Sequence, residues 1–446
     1  MPRQSSPSAT EPHTTSQSPI AIATIGQLTI KKWRLPNGLE IITVPDARAS
    51  SVSYVTTYRV GSRNENASAH ETGLAHLFEH LMFTQTRGAP EGAFDATIEA
   101  LGGSTNAATD YDFTSYLDEV PTEGLERVVA LEADRMTNLD LLDRQVESER
   151  EVVVEERLSV VEDSVDGTLD ERLYGQAFQK HPYRWPVIGR MEDIKAFTKD
   201  TITAFYRRHY APNRAVISVA GKFDEAQVLA LIETAYGSLA TAPDDSSSPS
   251  TPESAPNGEV STSLQKPVPA DRFVVGYPAP GLAAPERVAY EVMAEILAGG
   301  PSSRLNHPLT VEKVLASSVQ GQLPATRDPA LFGIWIQMRK GHVFAEADAI
   351  VSKEATRLAT ELVPDGELAA AKNRLETEFW RGLGSSRGRA ETLGQIDVVA
   401  GDFRLLAARA TAYADVTAAN VLDVAKRYLG QNNRSIVIAR PASNPR

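Results

Sequence analysis

Gly73-Leu-Ala-His-Leu-Phe-Glu-His-Leu-Met-Phe83 is the stretch of this 446-residue chain that constrains its fold and chemistry most tightly. Its apolar residues recur at helical spacing without a proline, which predicts a helix from about Thr72 to Phe83. His76 and His80 are four positions apart and therefore lie on one helix face, where both imidazoles can bind one metal ion. Glu79 lies on the same side, within reach of a metal-bound water.

The His-x-x-Glu-His order is the reverse of His-Glu-x-x-His and is typical of inverted zincins. A simpler alternative stays open, in which the two histidines are partly buried helix residues and the glutamate caps one of them. A catalytic zinc needs three protein ligands and one open position. Because the chain contains no cysteine, its ligands are restricted to His, Asp and Glu.

The third ligand must come from elsewhere, and the acidic stretch 147–157 is the obvious source. It reads as a helix in which Glu149 and Glu156 are two turns apart and share nearly the same face. One of them could bind zinc while the other holds a ligand imidazole. Alternatively the stretch is an ordinary solvated acidic face, and periodicity does not decide between these interpretations.

The two motifs together resemble the pitrilysin/insulinase family of zinc peptidases, which includes mitochondrial processing peptidases and many bacterial members. Here the pattern Glu-Arg-x-x-Val-x-x-Glu ends 76 residues after the second histidine. The resemblance implies that His76, His80 and Glu156 bind Zn²⁺, that Glu79 is the general base, and that Glu149 is the carboxylate behind the ligands.

Further motifs extend the resemblance across most of residues 28–225. Residues 102–109 and 112–116 resemble the family's Gly-Gly-x-x-Asn-Ala-x-Thr hairpin, and residues 181–189 resemble its His-Pro-Tyr-x-x-Pro-x-x-Gly segment. If the first strand of the hairpin lies at a sheet edge, a substrate segment can add to it by backbone hydrogen bonds. Asn106 and Ala107 would then bind substrate beside the zinc.

The second half departs from the family at two positions. Residues 299–305 resemble the turn Gly-Gly-x-Ser-Ser-Arg-Leu, after which self-sufficient members carry an Arg and a Tyr that bind the substrate backbone and the oxyanion. Here those positions are Thr310 and Ser317. Loss of one oxyanion donor typically costs about a hundredfold or more in rate. We therefore expect a heterodimer in which a homologous subunit supplies the Arg/Tyr pair.

Two other functions stay open at this point. The chain could be a non-catalytic structural or peptide-binding member of the same fold, or it could be a self-sufficient homodimeric peptidase. The function that the resemblance implies is that of a zinc metalloendopeptidase that cleaves unfolded peptides.

The predicted fold is α+β, with two homologous α/β-sandwich domains in tandem that form half of a clamshell. A faint repeat supports this prediction, because residues 205–219 and 424–438 both read as a helix end, a turn containing Asn-Arg and a β-branched strand. Composition predicts a disordered tail over residues 1–25, a zinc-binding domain over 26–240, a Pro/Ser-rich linker over 241–262 and a second domain over 263–446.

Composition excludes several classes of protein. No apolar run is long enough to span a membrane, and the scattered tryptophans do not suggest nucleic-acid binding. Residues 1–250 carry 23 basic and 37 acidic side chains, which gives this part a net charge of −14. It therefore carries the whole acidic excess of the chain, whose net charge is −13. This charge would favour basic unfolded peptides, or it could simply serve solubility. No signal h-region is visible, and by resemblance to paired bacterial members we expect a periplasmic protein, with the cytoplasm as the alternative.

Overall fold

The computed structural model describes residues 18–243, 253 and 258–442. These residues form two β-sheets, and each sheet is covered by helices. The first sheet contains seven strands, which are β1 (Ala21–Ile25), β2 (Leu28–Arg34), β3 (Glu40–Pro45), β4 (Val52–Tyr58), β5 (Ser104–Thr109), β6 (Thr114–Val120) and β7 (Ala215–Gly221). The second contains five, which are β8 (Val260–Lys266), β9 (Arg272–Ala279), β10 (Ala316–Gln322), β11 (Ala330–Met338) and β12 (Ser435–Pro441).

Fourteen α-helices surround the sheets in the part of the chain that the structure describes. They are α1 (Leu74–Leu81), α2 (Ala93–Ala100), α3 (Leu125–Asn138), α4 (Asp143–Arg157), α5 (Val165–Ala177), α6 (Met191–Ala196), α7 (Lys199–His209), α8 (Glu225–Tyr236), α9 (Arg287–Ala298), α10 (Phe344–Thr360), α11 (Asp365–Gly382), α12 (Ser386–Ala400), α13 (Arg404–Asp415) and α14 (Ala418–Tyr428). The π-helical segments Leu158–Glu162 and His307–Glu312 interrupt the regular pattern.

Both sheets are mixed. The strand order is β1-β2-β3-β7-β4-β6-β5 in the first sheet and β10-β11-β9-β12-β8 in the second. Strands β7 and β12 occupy interior positions and each follows a helix, α7 and α14, so the faint sequence repeat corresponds to equivalent elements. The predicted α+β fold with two tandem sandwiches is therefore confirmed.

Each sheet is covered on one face by a helix from the other half of the chain. Helix α12 packs on the first sheet, where Leu393 joins a buried cluster with Val55. Helix α5 packs on the second sheet, where Leu173 joins a buried cluster with Val274. A Cβ on Gly394 would lie 2.5 Å from Thr57 Oγ1, so this glycine permits the close approach of α12 to β4.

The predicted boundaries differ from the structure at two points. Strand β1 lies inside the range predicted as tail (1–25), because Ile22 and its neighbours pair with β2 in an antiparallel ladder that composition does not reveal. Strand β8 begins at Val260, inside the predicted linker (241–262), because it pairs in parallel with β12. The rest of the tail and most of the linker lie outside the described residues, and the domain limits 26–240 and 263–446 stay a prediction.

Within the described residues, no helix is both long and apolar enough to cross a membrane.

Candidate metal centre

Helix α1 presents the two histidines of the motif on its side away from the core. Its apolar residues, including Leu77 and Phe78, are fully buried. Phe78 stacks against Phe205 and Tyr206 of α7, and its carbonyl accepts a 2.9 Å hydrogen bond from Tyr116 of β6. Because this side of the helix is fixed, His76 and His80 are held toward the opposite side, with ring centroids 5.0 Å apart.

Helix α4 supplies the carboxylates opposite them. It buries Val146, Val153 and Arg157 against the core, and Arg157 binds Glu171 of α5 at 2.9 Å. Two turns of helix separate Glu149 and Glu156, so both face α1, which packs against α4.

Three side chains converge at this point. His76 Nε2 lies 3.6 Å and His80 Nε2 lies 3.4 Å from Glu156 Oε2. All three potential ligand atoms are within 4.8 Å of one another. A tetrahedral zinc with bonds of about 2.0–2.1 Å places its ligand atoms roughly 3.3 Å apart, so the donor types and spacing fit this ion.

Glu149 approaches the other nitrogen of the same imidazole, with Oε2 3.5 Å from His80 Nδ1. Such a carboxylate fixes the orientation and tautomer of a ligand histidine. His76 differs, because its Nδ1 is buried without a hydrogen-bond partner among the described residues. His76 is therefore oriented by packing, whereas His80 also has a carboxylate behind it.

The electrostatics of the metal-free cluster follow from these contacts. Burial lowers the pKa of His80, but the hydrogen bonds to Glu149 and Glu156 outweigh it and raise the pKa to about 9. Burial lowers the pKa of His76 despite nearby Glu156. The hydrogen bond to His80 lowers the pKa of Glu156. Metal binding at His80 would therefore compete with a proton.

The remaining predicted site residues lie next to this cluster. Glu79 is half-buried on α1, on the same helix as the two histidines. Asn106 and Ala107 belong to β5, which is an edge strand of the first sheet and packs against α1. Asn106 is exposed and Ala107 is half-buried.

Thr310 and Ser317, by contrast, are engaged with the backbone of the second half. Thr310 Oγ1 donates to the carbonyl of Asn306 at 2.8 Å, and Ser317 Oγ donates to that of Gln337 at 3.2 Å. Neither carries a cationic or phenolic group.

A buried charged cluster of Arg135 and Glu132, next to the β5–β6 hairpin, was not predicted from the sequence. The Arg135 side chain is completely buried, binds Glu132, and has its guanidinium within about 5 Å of the rings of Phe83, Phe94 and Tyr116. These contacts join α3 to the hairpin and to the end of α1. In the sequence, an Arg three residues after a Glu is indistinguishable from an ordinary surface ion pair of a helix.

Two family models and several known proteins match this chain. Residues 41–190 match the family model described as insulinase (peptidase family M16), and residues 196–375 match the one described as peptidase M16 inactive domain. The chain is 29% identical to the zinc protease PqqE of Helicobacter pylori over 91% of this chain and 92% of the relative. It is 31% identical to an uncharacterized zinc protease of Mycobacterium leprae over 92% and 91%.

A solved structure shows the same architecture. The crystal structure of a protease from Helicobacter pylori superposes with a TM-score of 0.87 at 28% identity, covering 92% of this chain and 99% of the other.

Proposed function

Because this chain belongs to the insulinase family of peptidases, M16, we propose that it is a zinc-dependent endopeptidase that cleaves unfolded peptides. The observation that carries the proposal is the convergence of His76, His80 and Glu156 on one point, with Glu79 on the same helix. The names of the relatives, which are zinc proteases, support zinc as the ion.

In this proposal the metal, Glu79 and Glu149 each have one role in peptide hydrolysis. Zinc, when bound, polarises the scissile carbonyl and makes the attacking water more acidic. Glu79 takes a proton from that water and passes it to the leaving amine. Glu149 keeps His80 in the orientation that directs Nε2 to the metal.

Substrate is held as an added strand on β5. Among the described residues this strand is at the sheet edge, so one row of its backbone hydrogen-bonding groups has no partner strand there. An extended peptide that pairs there is recognised through its backbone, with contacts to Asn106 and Ala107, and its sequence matters little. Only unfolded segments can adopt this geometry.

A homologous partner chain completes the site in our proposal. Thr310 and Ser317 cannot supply the two donors that the family's Arg and Tyr provide, and both hydroxyls already bind backbone carbonyls. The chain alone should therefore be a slow enzyme. A homologous subunit that keeps the Arg/Tyr pair would raise the rate by supplying the missing oxyanion contacts.

The test compares the purified chain with its Glu79→Gln variant. We expect stoichiometric zinc in both proteins, and a loss of about 10²–10⁴ in the cleavage rate of an unstructured peptide in the variant. Glu155→Gln, on the exposed side of α4, is the matched control and should keep both zinc and activity.

The same assay separates the other functions. Zinc binding without chelator-sensitive cleavage, even together with a homologous chain that carries the Arg/Tyr pair, would indicate a peptide-binding or structural member. Full activity of the chain alone would indicate a self-sufficient homodimer and would remove the need for a partner. Retained hydrolysis in Glu79→Gln would remove Glu79 from the mechanism.

A further inference from the structure

A cavity of about 370 Å³ lies where the two halves of the chain meet. The first half contributes residues of β1, β2 and β3 and the residue that follows β4, Arg59. The second half contributes the β10–β11 loop, the end of α12 and the start of α13. We call this volume the interface cavity. None of its lining residues is a predicted metal ligand, general base or substrate contact.

The lining of the interface cavity is positively charged, although the whole chain carries a net charge of −13. Its cationic side chains are Lys32, Arg34, Arg59, Arg327 and Arg404. Its carboxylates are Glu40, Asp397 and Asp402. Five cations and three carboxylates give the lining a charge of +2 when all of them are ionised.

Glu40 cannot neutralise a further cation, because three cations already share it. Lys32 Nζ lies 2.8 Å from Glu40 Oε2, Arg34 Nε lies 3.1 Å from Oε1, and Arg59 also binds Oε2. Burial raises the pKa of Glu40, but the attraction of Arg59, Lys32 and Arg34 outweighs it and lowers the pKa to about 2. Glu40 is therefore ionised at neutral pH, and its single charge is divided among these three cations.

The two aspartates of the lining are occupied as well. Asp397 accepts hydrogen bonds from Lys32 Nζ at 2.7 Å and from the backbone N–H of Phe403 at 3.1 Å. Asp402 accepts hydrogen bonds from Nε and from the backbone N–H of Arg404, both at 2.9 Å. The carboxylates of the cavity are thus bound to protein groups, and the excess positive charge has to be balanced from outside the protein.

Arg327 and Arg34 have guanidinium groups that can bind such an external charge. Arg327 Nη2 donates to the carbonyl oxygen of Val398 at 2.7 Å, which is a neutral acceptor. The side chain of Arg34 is 57% exposed at the rim of the cavity. A guanidinium has several N–H donors, so these contacts leave donors for an anion. Cations that are gathered in a partly buried cavity repel one another, and an anion between them relieves this repulsion.

We propose that the interface cavity binds a small tetrahedral dianion of the phosphate class. Arg34 and Arg59 bind it from the first half of the chain. Arg327 and Arg404 bind it from the second half, and the buried Lys32 adds its charge from below. Guanidinium groups form paired, charge-assisted hydrogen bonds with phosphate oxygens, and a dianion matches the charge of the lining. Because the ligand contacts both halves, its binding stabilises their association.

The experiment measures binding of inorganic phosphate to the zinc-loaded full chain by isothermal titration calorimetry. We expect one phosphate per chain and a rise of the melting temperature with phosphate concentration. Sodium chloride at the same ionic strength should produce neither effect. Glycerol 3-phosphate is titrated in parallel: tighter binding than inorganic phosphate would identify the ligand as the phosphoryl group of a larger molecule, and weaker binding would identify it as free phosphate.

Variants of the lining decide whether the phosphate binds in this cavity. Arg34→Gln and Arg327→Gln should each weaken phosphate binding by about fivefold to tenfold, because each removes a charge-assisted hydrogen bond. Arg387→Gln is the matched control, since Arg387 is exposed on α12, does not line the cavity and undergoes the same change of charge. It should bind phosphate like the wild type. If Arg327→Gln fails to fold in thermal denaturation, Arg34→Gln decides, because its side chain is at the exposed rim.

Two results would overturn the proposal. One is a response to phosphate that sodium chloride reproduces at the same ionic strength, which would show that only charge screening is involved. The other is an unchanged phosphate affinity in the lining variants, which would place the anion elsewhere, for example at the metal centre. The proposal does not depend on peptidase activity, so a chain that binds phosphate in this way but cleaves no peptide would contradict only the proposed function.

Discussion

Glu149 and Glu156 approach different nitrogens of the His80 imidazole, so the two carboxylates have different roles at the site. Glu156 faces Nε2 of His80 at 3.4 Å, where a metal ion would also bind, and Glu149 faces Nδ1 at 3.5 Å. A carboxylate at Nδ1 holds the ring in place and makes Nε2 a better ligand. The two glutamates are therefore not interchangeable, although they share a helix face.

Replacement of Glu149 should weaken zinc binding without removing a ligand. We expect Glu149→Gln to lower zinc affinity about 10–100-fold, because the neutral amide supports His80 less well than a carboxylate. Competition with a chromophoric chelator measures the affinity. Glu151→Gln, an exposed neighbour on the same helix, is the control and should bind zinc like the wild type. Unchanged affinity in Glu149→Gln would mean that packing alone orients His80.

The sequence predicts this cluster only in part. Two histidines at positions i and i+4 are sufficient to predict a shared metal, because that geometry is local to one helix. The role of Glu156 depends on how α4 docks on α1, which is a tertiary contact, and periodicity therefore left Glu149 and Glu156 equivalent until the family resemblance separated them. Arg135 could not be recognised at all, since it is buried against the rings of Phe83, Phe94 and Tyr116, which are distant from it in the sequence.

A second residue-scale feature is the backbone of Val314, between the π-helical segment His307–Glu312 and β10. Val314 has φ +54° and is 45% exposed. A β-branched residue in the left-handed region is strained by about 1–3 kcal/mol. Because its side chain is exposed, little packing compensates for the strain.

Relief of this strain should stabilise the protein. We expect Val314→Gly to raise the free energy of unfolding by about 1 kcal/mol. This is the relief of backbone strain minus the larger conformational entropy that glycine loses on folding. Val311→Gly is the control, because Val311 is also exposed but has no positive φ, and it should destabilise by roughly 0.5–1 kcal/mol. Urea denaturation measures both. A destabilising effect of Val314→Gly would show that the strain is compensated elsewhere.

At the scale of elements, the metal helix begins at a contact between two glycine backbones. Gly73 has φ +97° and precedes α1, and Gly189 has φ +87° and ends the segment 181–189. A Cβ on Gly73 would lie 2.6 Å from the carbonyl oxygen of Ile188, and a Cβ on Gly189 would lie 2.5 Å from Gly73 Cα. The glycine in the predicted Pro-x-x-Gly motif is thus explained by its contact with the start of the metal helix.

Substitution of Gly73 should disturb both the fold and the metal site. We expect Gly73→Ala to destabilise the protein by about 2–4 kcal/mol and to weaken zinc binding, since the clash with backbone displaces the first turn of α1. Gly92→Ala is the matched control, because Gly92 also precedes a helix with φ +75°, but a Cβ there would meet no described atom within 4 Å. Gly92→Ala should cost only about 1 kcal/mol. Equal effects of the two variants would rule out the clash.

Elements with strong local signals were predictable, and those that depend on partners were not. The turn residues Asn37 and Gly38 predict one strand over residues 28–35 and another over 39–44. The structure contains β2 and β3 within one residue of these limits. Strand β1 was not predicted, because a stretch of only five residues of Ala, Ile and Thr does not by itself indicate a strand. It becomes a strand by pairing with β2.

At the scale of the whole molecule, the two halves exchange helices and are joined by a polar network. Tyr183 donates to Asp112 at 2.8 Å, and Asp112 also accepts from the backbone N–H of Arg327 at 2.8 Å. Asp328 binds Arg63 at 2.7 Å. Residues of the His-Pro-Tyr and Asp-Phe-Thr-Ser-Tyr motifs therefore hold the β10–β11 loop of the second half against the first.

The exchange of helices could not be predicted from the sequence. The apolar residues of α5 and α12 indicate that each helix is buried on one side, but nothing local indicates which sheet is underneath. Sequence order favours the nearer sheet, whereas the structure places each helix on the sheet of the other half.

We therefore expect neither half to fold by itself. Residues 18–243 alone would expose the face of the first sheet around Val55 and Val216, which α12 covers in the intact chain. Residues 258–442 alone would expose the face around Val274 and Val437, which α5 covers. Each fragment should bind a hydrophobic dye and unfold without a sharp transition, whereas the full chain should unfold in one step. Mixing the fragments should restore the sharp transition and the zinc site together. Cooperative unfolding of an isolated fragment with no dye binding would show that its sheet does not need the exchanged helix, and the tandem domains would then be independent units.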